Sequence, residues 1–432
     1  MKRRGFMPNF RTYATIMSGY ANVEDWEPLT KQLDFMHTIY EQLKQQLETS
    51  SDMFEDRASE TGANVQYPIA LYISILGKAG ERQKAFDVFR DLDTDGPLVP
   101  HPKVYSALFC LLADRVDPEA DPEATAQAVS DAKYIWRRHM RSLDRQPNYY
   151  IETRSVDAFV KVLSHGEPSD HELMFDILRD ICGLPRPGED YPPGPPKVEP
   201  NVFILVEALE GCNEAGRPEM ALHYAQLVMD SPKLRPLLRA WHLPKLIRAH
   251  LALARRGSTF PARSENAATW IEWFMAQGRE DMIPNEYSLK SALRLCRSCE
   301  DTPSALRIAR AMLEGPTRGS ISTKTWINLF NLAIMAPPID RRQFLELLAR
   351  HNSLLDVWKS AAIEQLAASE KINHFFLAHC IVRLLQTPLA PDTADGPDAT
   401  DLGQSEAWSD IKRSAESILQ TAHRLGYQFG RT

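Results

Sequence analysis

The chain has 432 residues, enough for two or three domains or for one long repeat array. Apolar residues make up 44% and charged residues 25%, which excludes a disordered chain and allows a large core. The net charge of −7 argues mildly against a nucleic-acid-binding protein. Six cysteines over this length exclude a disulfide scaffold, and no apolar run is long enough to cross a membrane.

Helical spacing of apolar residues continues along almost the whole chain, as at Leu205, Ala208, Leu209 and Cys212. Strand signals are nearly absent, so the sequence predicts an all-α fold. Pro-Asn pairs precede several of the helical patterns, at residues 8–9, 147–148, 200–201 and 284–285, with Pro-His at 100–101 as a variant. Proline holds the incoming chain extended, and the asparagine side chain can cap the first helical turn.

The segments that follow these pairs resemble one another. After Asn201 the chain reads VFILVEALEGCNEAGRPEMALHYAQLVM, and after Asn285 it reads EYSLKSALRLCRSCEDTPSALRIARAML. An ungapped alignment places Cys212 opposite Cys296, and residues 68–92 carry the same pattern. Each unit predicts a helical hairpin that is too small to bury its own apolar face, so neighbouring hairpins must stack into a solenoid.

These units resemble the pentatricopeptide repeat, whose signature is a Thr-Tyr helix opening, a Lys-Ala-Gly turn and a Pro-Asn end. The matching stretches are TYATIMSGYA at 12–21, LGKAGERQKAFDVFRDL at 76–92, VYSALFCLLA at 104–113, EAGRPEMALHYAQLVM at 214–229 and TWINLFNLA at 325–333. The resemblance covers most of residues 4–350 and implies a right-handed α-solenoid. The tetratricopeptide repeat is the close alternative, but the Pro-Asn ends and Thr-Tyr openings favour the pentatricopeptide repeat.

The predicted organisation is a degenerate repeat solenoid over residues 1–386, an acidic Pro/Asp-rich linker at 387–405 and a C-terminal helix at 406–432. We expect loop insertions in the solenoid at 49–64, 114–131 and 183–200, where the sequence is polar, acidic or rich in proline. RGFMPN at 4–9 resembles the end of a preceding repeat. We therefore expect an upstream repeat and any targeting presequence to lie outside this sequence; a short capping turn is the alternative.

Catalytic motifs are missing from the sequence, which has no GxSxG, HExxH, P-loop or GxGxxG pattern. Cys296 and Cys299 form one CxxC, but they occupy positions that other repeats fill with core residues, and a zinc site needs a second ligand pair. We therefore expect a non-enzymatic protein without a metal or cofactor. Chemistry in an upstream segment is a weaker alternative.

The family resemblance implies that the first helices line a groove for single-stranded RNA, with one base per repeat. It also implies a role in mitochondrial gene expression, in the matrix: translation, association with small-subunit ribosomal RNA, or transcript stability. The family reads bases with the fifth and last residues of a repeat. The fifth residues here are Ala14, Ala70, Ser106, Val206, Lys290 and Ile327, most of which cannot hydrogen-bond a base. The last residues stay polar: Asn9, His101, Asn148, Asn201 and Asn285.

The second residues of the repeats are all aromatic or basic: Arg11, Tyr67, Lys103, Phe203, Tyr287 and Lys324. Aromatic rings stack any base and basic groups contact any phosphate, so this set favours RNA binding without sequence specificity. Lys290, Arg294 and Arg297 follow helical spacing and predict a basic strip on the same side. Ordinary helix-start residues and a solvated surface are the alternatives for these two sets.

A basic segment runs from Ser231 to Ser264 without a carboxylate. Its candidate phosphate-binding residues are Lys233, Arg235, Arg239, Lys245, Arg248, Arg255 and Arg256. A basic helix pair that faces an acidic neighbour is the alternative. Residues 114–131 carry a net −5 and residues 387–411 carry −6, so the rest of the chain is +4 and the total no longer argues against RNA. A protein–protein interaction scaffold without direct RNA binding remains the alternative function.

Overall fold

The computed structural model describes residues 8–49, 66–92, 99–146, 149–257, 260–315, 322–349, 368–386, 406–425 and 427. All regular structure in these ranges is helical, which confirms the predicted all-α class. Three predicted features lie outside them: the linker at 387–405, the Pro-Asn pair at 147–148, and the insertion at 49–64 beyond its first residue.

Two compact units make up the structure, Met1–Tyr224 (the N-terminal unit) and Ala225–Thr432 (the C-terminal unit). The N-terminal unit contains α1 (Phe10–Ala21), α2 (Thr30–Thr49), α3 (Tyr67–Lys78), α4 (Arg82–Arg90), α5 (Pro102–Ala113), α6 (Pro122–Arg145), α7 (Thr153–Ser164), α8 (Pro168–Asp180) and α9 (Val202–Glu214). The division falls inside α10 (Pro218–Asp230). The C-terminal unit contains α11 (Leu243–Arg255), α12 (Phe260–Ala276), α13 (Glu286–Ser298), α14 (Thr302–Glu314), α15 (Thr323–Met335), α16 (Pro338–Ala349), α17 (Ala368–Gln386) and α18 (Glu406–Arg424).

The helices of each unit alternate between the first and the second helix of a hairpin, and the two kinds form separate layers. The first helices of successive hairpins pack side by side, as α1–α3–α5–α7–α9 in the N-terminal unit and as α11–α13–α15–α17 in the C-terminal unit. The second helices pack against them, for example α4 on α3 and α14 on α13. An inner first helix therefore has a neighbour on each flank and a second helix behind it, which leaves only one face exposed. We call this exposed face of the first helices the front.

Capping by the repeat-end side chains fixes where the first helices begin. The Oδ1 atoms of Asn9, Asn201 and Asn285 accept the backbone N–H groups of Thr12, Ile204 and Ser288 at 2.9, 2.8 and 2.9 Å. His101 does the same with Nδ1, which accepts the Lys103 N–H at 3.2 Å. Caps of this kind stabilise a helix by about 1 kcal/mol each. The predicted capping role of the asparagines is confirmed at these three Pro-Asn pairs, and the structure shows that His101 of the Pro-His variant caps its helix as well.

The turn from first to second helix repeats in three hairpins. Backbone N–H groups close it by donating to the carbonyl five residues earlier: Glu81 to Leu76 at 2.9 Å, Arg217 to Cys212 at 2.8 Å and Asp301 to Cys296 at 3.0 Å. The residue before each donor is left-handed, with φ of 78° at Gly80, 65° at Gly216 and 53° at Glu300. Glycine adopts this conformation freely, whereas Glu300 adopts it at a steric cost.

Side-chain hydrogen bonds and an ion pair link successive hairpins. Ser264 donates to Asp301 at 2.6 Å and Thr302 donates to Asp340 at 2.6 Å, across 37 and 38 residues respectively. In the N-terminal unit Lys133 Nζ lies 2.7 Å from Asp170 Oδ1, across 37 residues. Each pair joins the second-helix regions of neighbouring hairpins, so these contacts link one hairpin to the next.

The core of each unit lies between the two helix layers. Phe159 of α7 contacts Phe109 of α5, with ring centroids 5.1 Å apart, and stacks on Trp136 of α6 at 4.7 Å. In the C-terminal unit Ala254, Ala267, Leu295 and Cys299 form one buried cluster. Cys296 is fully buried as well, so the CxxC cysteines pack in the core, as predicted. Burial raises the pKa of Cys182 to about 12, which keeps that thiol protonated.

Two of the predicted insertions fall within the described ranges. The loop expected at 114–131 extends only to Asp121, whose carboxylate accepts the Ala124 N–H at 2.9 Å and so starts α6. Residues 183–200 are irregular, as expected from their prolines. Arg186 fixes this segment against α8, because its guanidinium donates to Asp176 at 2.6 Å and to Glu172 at 2.9 Å.

Candidate nucleic-acid interface

The six predicted second residues share one structural position. Each lies in the first turn of a first helix, and none is buried: Arg11 on α1, Tyr67 on α3, Lys103 on α5, Phe203 on α9, Tyr287 on α13 and Lys324 on α15. The exposed fraction is 59% for Phe203 and 67% for Tyr287. Exposed rings that recur at the same turn of the repeat are available for stacking with a ligand.

Second residues of successive repeats are neighbours in the N-terminal unit. Lys103 Nζ lies 4.5 Å from the centroid of the Tyr67 ring, which places the cation over the aromatic face. Arg11 and Tyr67 line a shallow depression of about 390 Å³ on the front of α1. Its floor consists of small or polar residues: Ala14, Thr15, Ser18, Gly19 and Asn22. The second residues therefore form one continuous edge along α1, α3 and α5.

One member of this set, Arg154, was missed by the sequence reasoning. It is exposed, it is the second residue of α7, and its Nε donates to Cys110 Sγ at 3.1 Å across to α5. The preceding Pro-Asn pair at 147–148 lies four residues further upstream of its helix than the other pairs, so counting from the pair gives the wrong residue. The spacing of Val156, Phe159 and Leu163 could have located it.

A carboxyl group lies in the fifth position of the same helix. Asp157 is half-buried on α7, and burial raises its pKa to about 6 despite the Ala158 N–H that it accepts at 2.9 Å. Another polar fifth residue, Ser106 of α5, is buried. Its hydroxyl donates a hydrogen bond to Glu152 at 2.6 Å and shares one with the Ser155 hydroxyl at 2.7 Å. Its hydroxyl is therefore engaged within the protein.

The predicted last residues have only part of their polar groups available. The Oδ1 atoms of Asn201 and Asn285 accept the capping hydrogen bonds described above. Only the amide N–H groups of these two side chains remain to contact a ligand. Helix capping therefore explains the recurrence of asparagine without any role in reading bases.

The C-terminal unit brings two basic features of the sequence together. On one side of α13, Leu289, Ala292 and Cys296 are buried. The opposite side faces the front and carries three basic side chains beside Tyr287. We call these three side chains the α13 strip: Lys290, Arg294 and Arg297. Arg248 and Arg255 are exposed on α11, which packs directly beside α13. Basic residues that are about 40 positions apart in sequence thus lie on adjacent helices, as the stacking of repeats requires.

Other members of the predicted basic patch have different surroundings. Lys233, Arg235 and Arg256 are exposed, and Lys245 is half-buried. Arg235 Nε donates to the Met229 carbonyl at 2.7 Å. Arg239 is half-buried and its Nε lies 2.7 Å from Asp281 Oδ2, so this ion pair compensates its charge. The patch is therefore less uniform than the segment without carboxylates suggested.

A metal site and a membrane-spanning helix are both absent from the ranges that the structure describes. No group of three or more His, Cys, Asp and Glu side chains there is arranged to hold a metal ion. None of the helices in those ranges is long and apolar enough to cross a membrane.

No protein-family model matches this chain. No curated protein matches it. Among solved structures, the crystal structure of the pentatricopeptide repeat protein PPR10 from maize is similar over 100% of this chain and 51% of that one, with a TM-score of 0.43 and 13% identity. The chain thus spans about half the length of that protein.

Proposed function

We propose that this chain is a pentatricopeptide-like repeat protein that binds single-stranded RNA without catalysing a reaction. The observation that carries the proposal is the set of aromatic and basic residues in the first turn of successive first helices. Exposed rings at a repeat spacing suit unpaired bases, and the cations between them suit the phosphates that link those bases.

The proposed binding depends on charge and stacking more than on base identity. The fifth residues are apolar, buried or charged, and the last residues use their acceptor atoms for capping. A strand would therefore be held by its backbone and by base faces, which all four bases share. We expect strong dependence on salt, because each phosphate contact releases a bound counterion.

Binding of fluorescently labelled single-stranded RNA at several salt concentrations tests the proposal. We expect affinity that falls steeply as salt rises and that is weaker for an RNA duplex of equal length. A chain with native circular dichroism that binds no single-stranded RNA at low salt would contradict the proposal.

The biological setting that we propose is mitochondrial gene expression in the matrix, in translation, in association with small-subunit ribosomal RNA, or in transcript stability. It rests on the resemblance of the repeat motifs to the pentatricopeptide family. Imaging of a tagged chain, followed by sedimentation of a mitochondrial lysate with and without ribonuclease, tests it. Exclusion of the tagged chain from mitochondria would contradict this setting.

A protein–protein scaffold is the second candidate, and the charge of the N-terminal unit favours it. Residues 1–224 contain 36 acidic and 24 basic side chains, a net charge of −12 that repels a polyphosphate and attracts a cationic protein surface. Pull-down of partners by the full chain before and after ribonuclease treatment separates the two functions. Partners retained after complete RNA digestion would favour the scaffold.

A further inference from the structure

An exposed apolar surface follows the α13 strip along the front of the C-terminal unit. Helix α17 packs beside α15, and the buried Cys380 thiol donates to Asn331 Oδ1 at 3.4 Å. This contact sets the register between the two helices. One helical turn earlier on each helix, Phe376 and the half-buried Ile327 are level with one another.

Phe376 and Ile372 are exposed apolar side chains of α17, with exposed fractions of 40% and 47%. They are four residues apart, so they lie one above the other on the same face of the helix. Leu377 and Ile381, which point away from this face, are fully buried. The exposed ring is therefore not required to fill the core of this unit.

Basic side chains lie on one flank of this apolar surface, toward α15 and α13. Lys324 is exposed at the start of α15, and the α13 strip lies one helix further along the row. The stripe that passes through Phe376 on α17 contains no carboxylate among its described residues. By contrast, Glu286 lies beside Lys290 at the start of α13, and Glu370 is exposed in the first turn of α17. An exposed ring with basic side chains on one flank suits a partner that is an anion and also carries a flat apolar group.

We infer that Phe376 and Ile372 form a stacking platform for an unpaired nucleobase. The phosphates of the same strand would contact the α13 strip and Lys324. The inference rests on the proposed function and adds a site at the end of the front that none of the repeat motifs predicts. A platform without a hydrogen-bonding group accepts any base and favours the larger ring systems of purines.

The test measures binding of a single-stranded adenine-rich RNA that carries 2-aminopurine, using the full chain. Phe376→Ala should weaken binding about tenfold, the size expected for the loss of one stacked base. Phe376→Trp should bind at least as tightly as the natural chain and quench the 2-aminopurine fluorescence more strongly. Neither variant should alter the salt dependence, because phenylalanine contributes no phosphate contact.

Ile339→Ala is the matched control, because Ile339 is 71% exposed but lies on α16, in the other helix layer. This control should bind RNA as the natural chain does. A variant with Lys290, Arg294 and Arg297 changed to Glu, measured in parallel, separates the two claims. If Phe376→Ala binds RNA normally while the charge-reversed variant does not, the platform is wrong and the proposed function stands. If the natural chain binds no RNA, or if Phe376→Ala abolishes capture of an acidic amphipathic peptide instead, the platform is also refuted.

Discussion

The two units share one hairpin architecture and differ in charge. The N-terminal unit has 24 basic and 36 acidic residues, whereas the C-terminal unit has 26 basic and 21 acidic residues, so their net charges are −12 and +5. Stacking of hairpins depends on buried apolar faces and leaves the front free to vary. The same fold can therefore present surfaces with different binding properties, and function must be argued from the front residues.

On the front, the difference between the units is local. In the N-terminal unit the cations Arg11, Lys103 and Arg154 lie at helix starts and are separate from one another along the chain, and Asp157 adds a carboxyl group further along α7. In the C-terminal unit the α13 strip places three basic side chains along a single helix. We therefore expect most of the RNA affinity to come from the C-terminal unit, with a smaller contribution from the edge of the N-terminal unit.

Charge reversal of the α13 strip should have the largest effect. Changing Lys290, Arg294 and Arg297 to Glu should weaken single-stranded RNA binding by about a hundredfold at low salt, because three phosphate contacts are replaced by repulsion. The slope of log affinity against log salt should fall by about two. The control reverses Arg82, Lys84 and Arg90 on the second helix α4, where all three are exposed. An equal loss in that control would show that net charge alone governs binding.

Removal of a single aromatic ring should have an intermediate effect on RNA binding. The size of the loss in each unit shows which unit contributes more to the affinity. Tyr287→Ala should weaken RNA binding about tenfold, because it removes one stacking surface beside the α13 strip. Phe203→Ala, at the same helical position in the acidic unit, should weaken it less. Fluorescence anisotropy at fixed salt measures both. A larger loss for Phe203→Ala would reverse the proposed order of the two units.

Glu300→Gly should stabilise the C-terminal unit by about 1 kcal/mol. Glycine has no Cβ atom, so it adopts the left-handed backbone conformation without the steric cost that glutamate incurs. The reciprocal change, Gly216→Ala, should destabilise the N-terminal unit by a similar amount, since φ there is 65°. Chemical denaturation of both variants checks this. Equal stability of Glu300→Gly and the natural chain would mean that the turn relaxes without cost.

Asp157→Asn should have the smallest effect, a roughly twofold tighter binding of RNA at pH 8. The pKa of Asp157 is about 6, so its carboxyl is charged at pH 8 and repels phosphates, and it is neutral at pH 5. The gain from the substitution should therefore disappear as the pH falls through 6. Asp87→Asn on α4 is the control. A gain that persists at pH 5 would contradict this role of Asp157.

Local features of the fold were predictable from the sequence because they depend on neighbouring residues. The Pro-Asn pairs predicted the helix starts, and the alignment of Cys212 with Cys296 predicted equivalent helices. Contacts between repeats were not predictable in detail. The extra spacing before α7 concealed Arg154 and Asp157, and the pairing of Arg239 with Asp281 joins residues that no local pattern connects. The platform at Phe376 required the register between α15 and α17, which the sequence does not contain.

We propose that RNA lies on the front of the C-terminal unit. Ultraviolet crosslinking of the full chain to a uridine-rich single-stranded RNA, followed by mass spectrometry of the crosslinked peptides, tests it directly. We expect the main crosslinks in the peptides that contain Tyr287 and Phe376, with weaker ones at Tyr67 and Phe203. Crosslinks confined to residues 1–224, or located on the second helices of either unit, would contradict the claim.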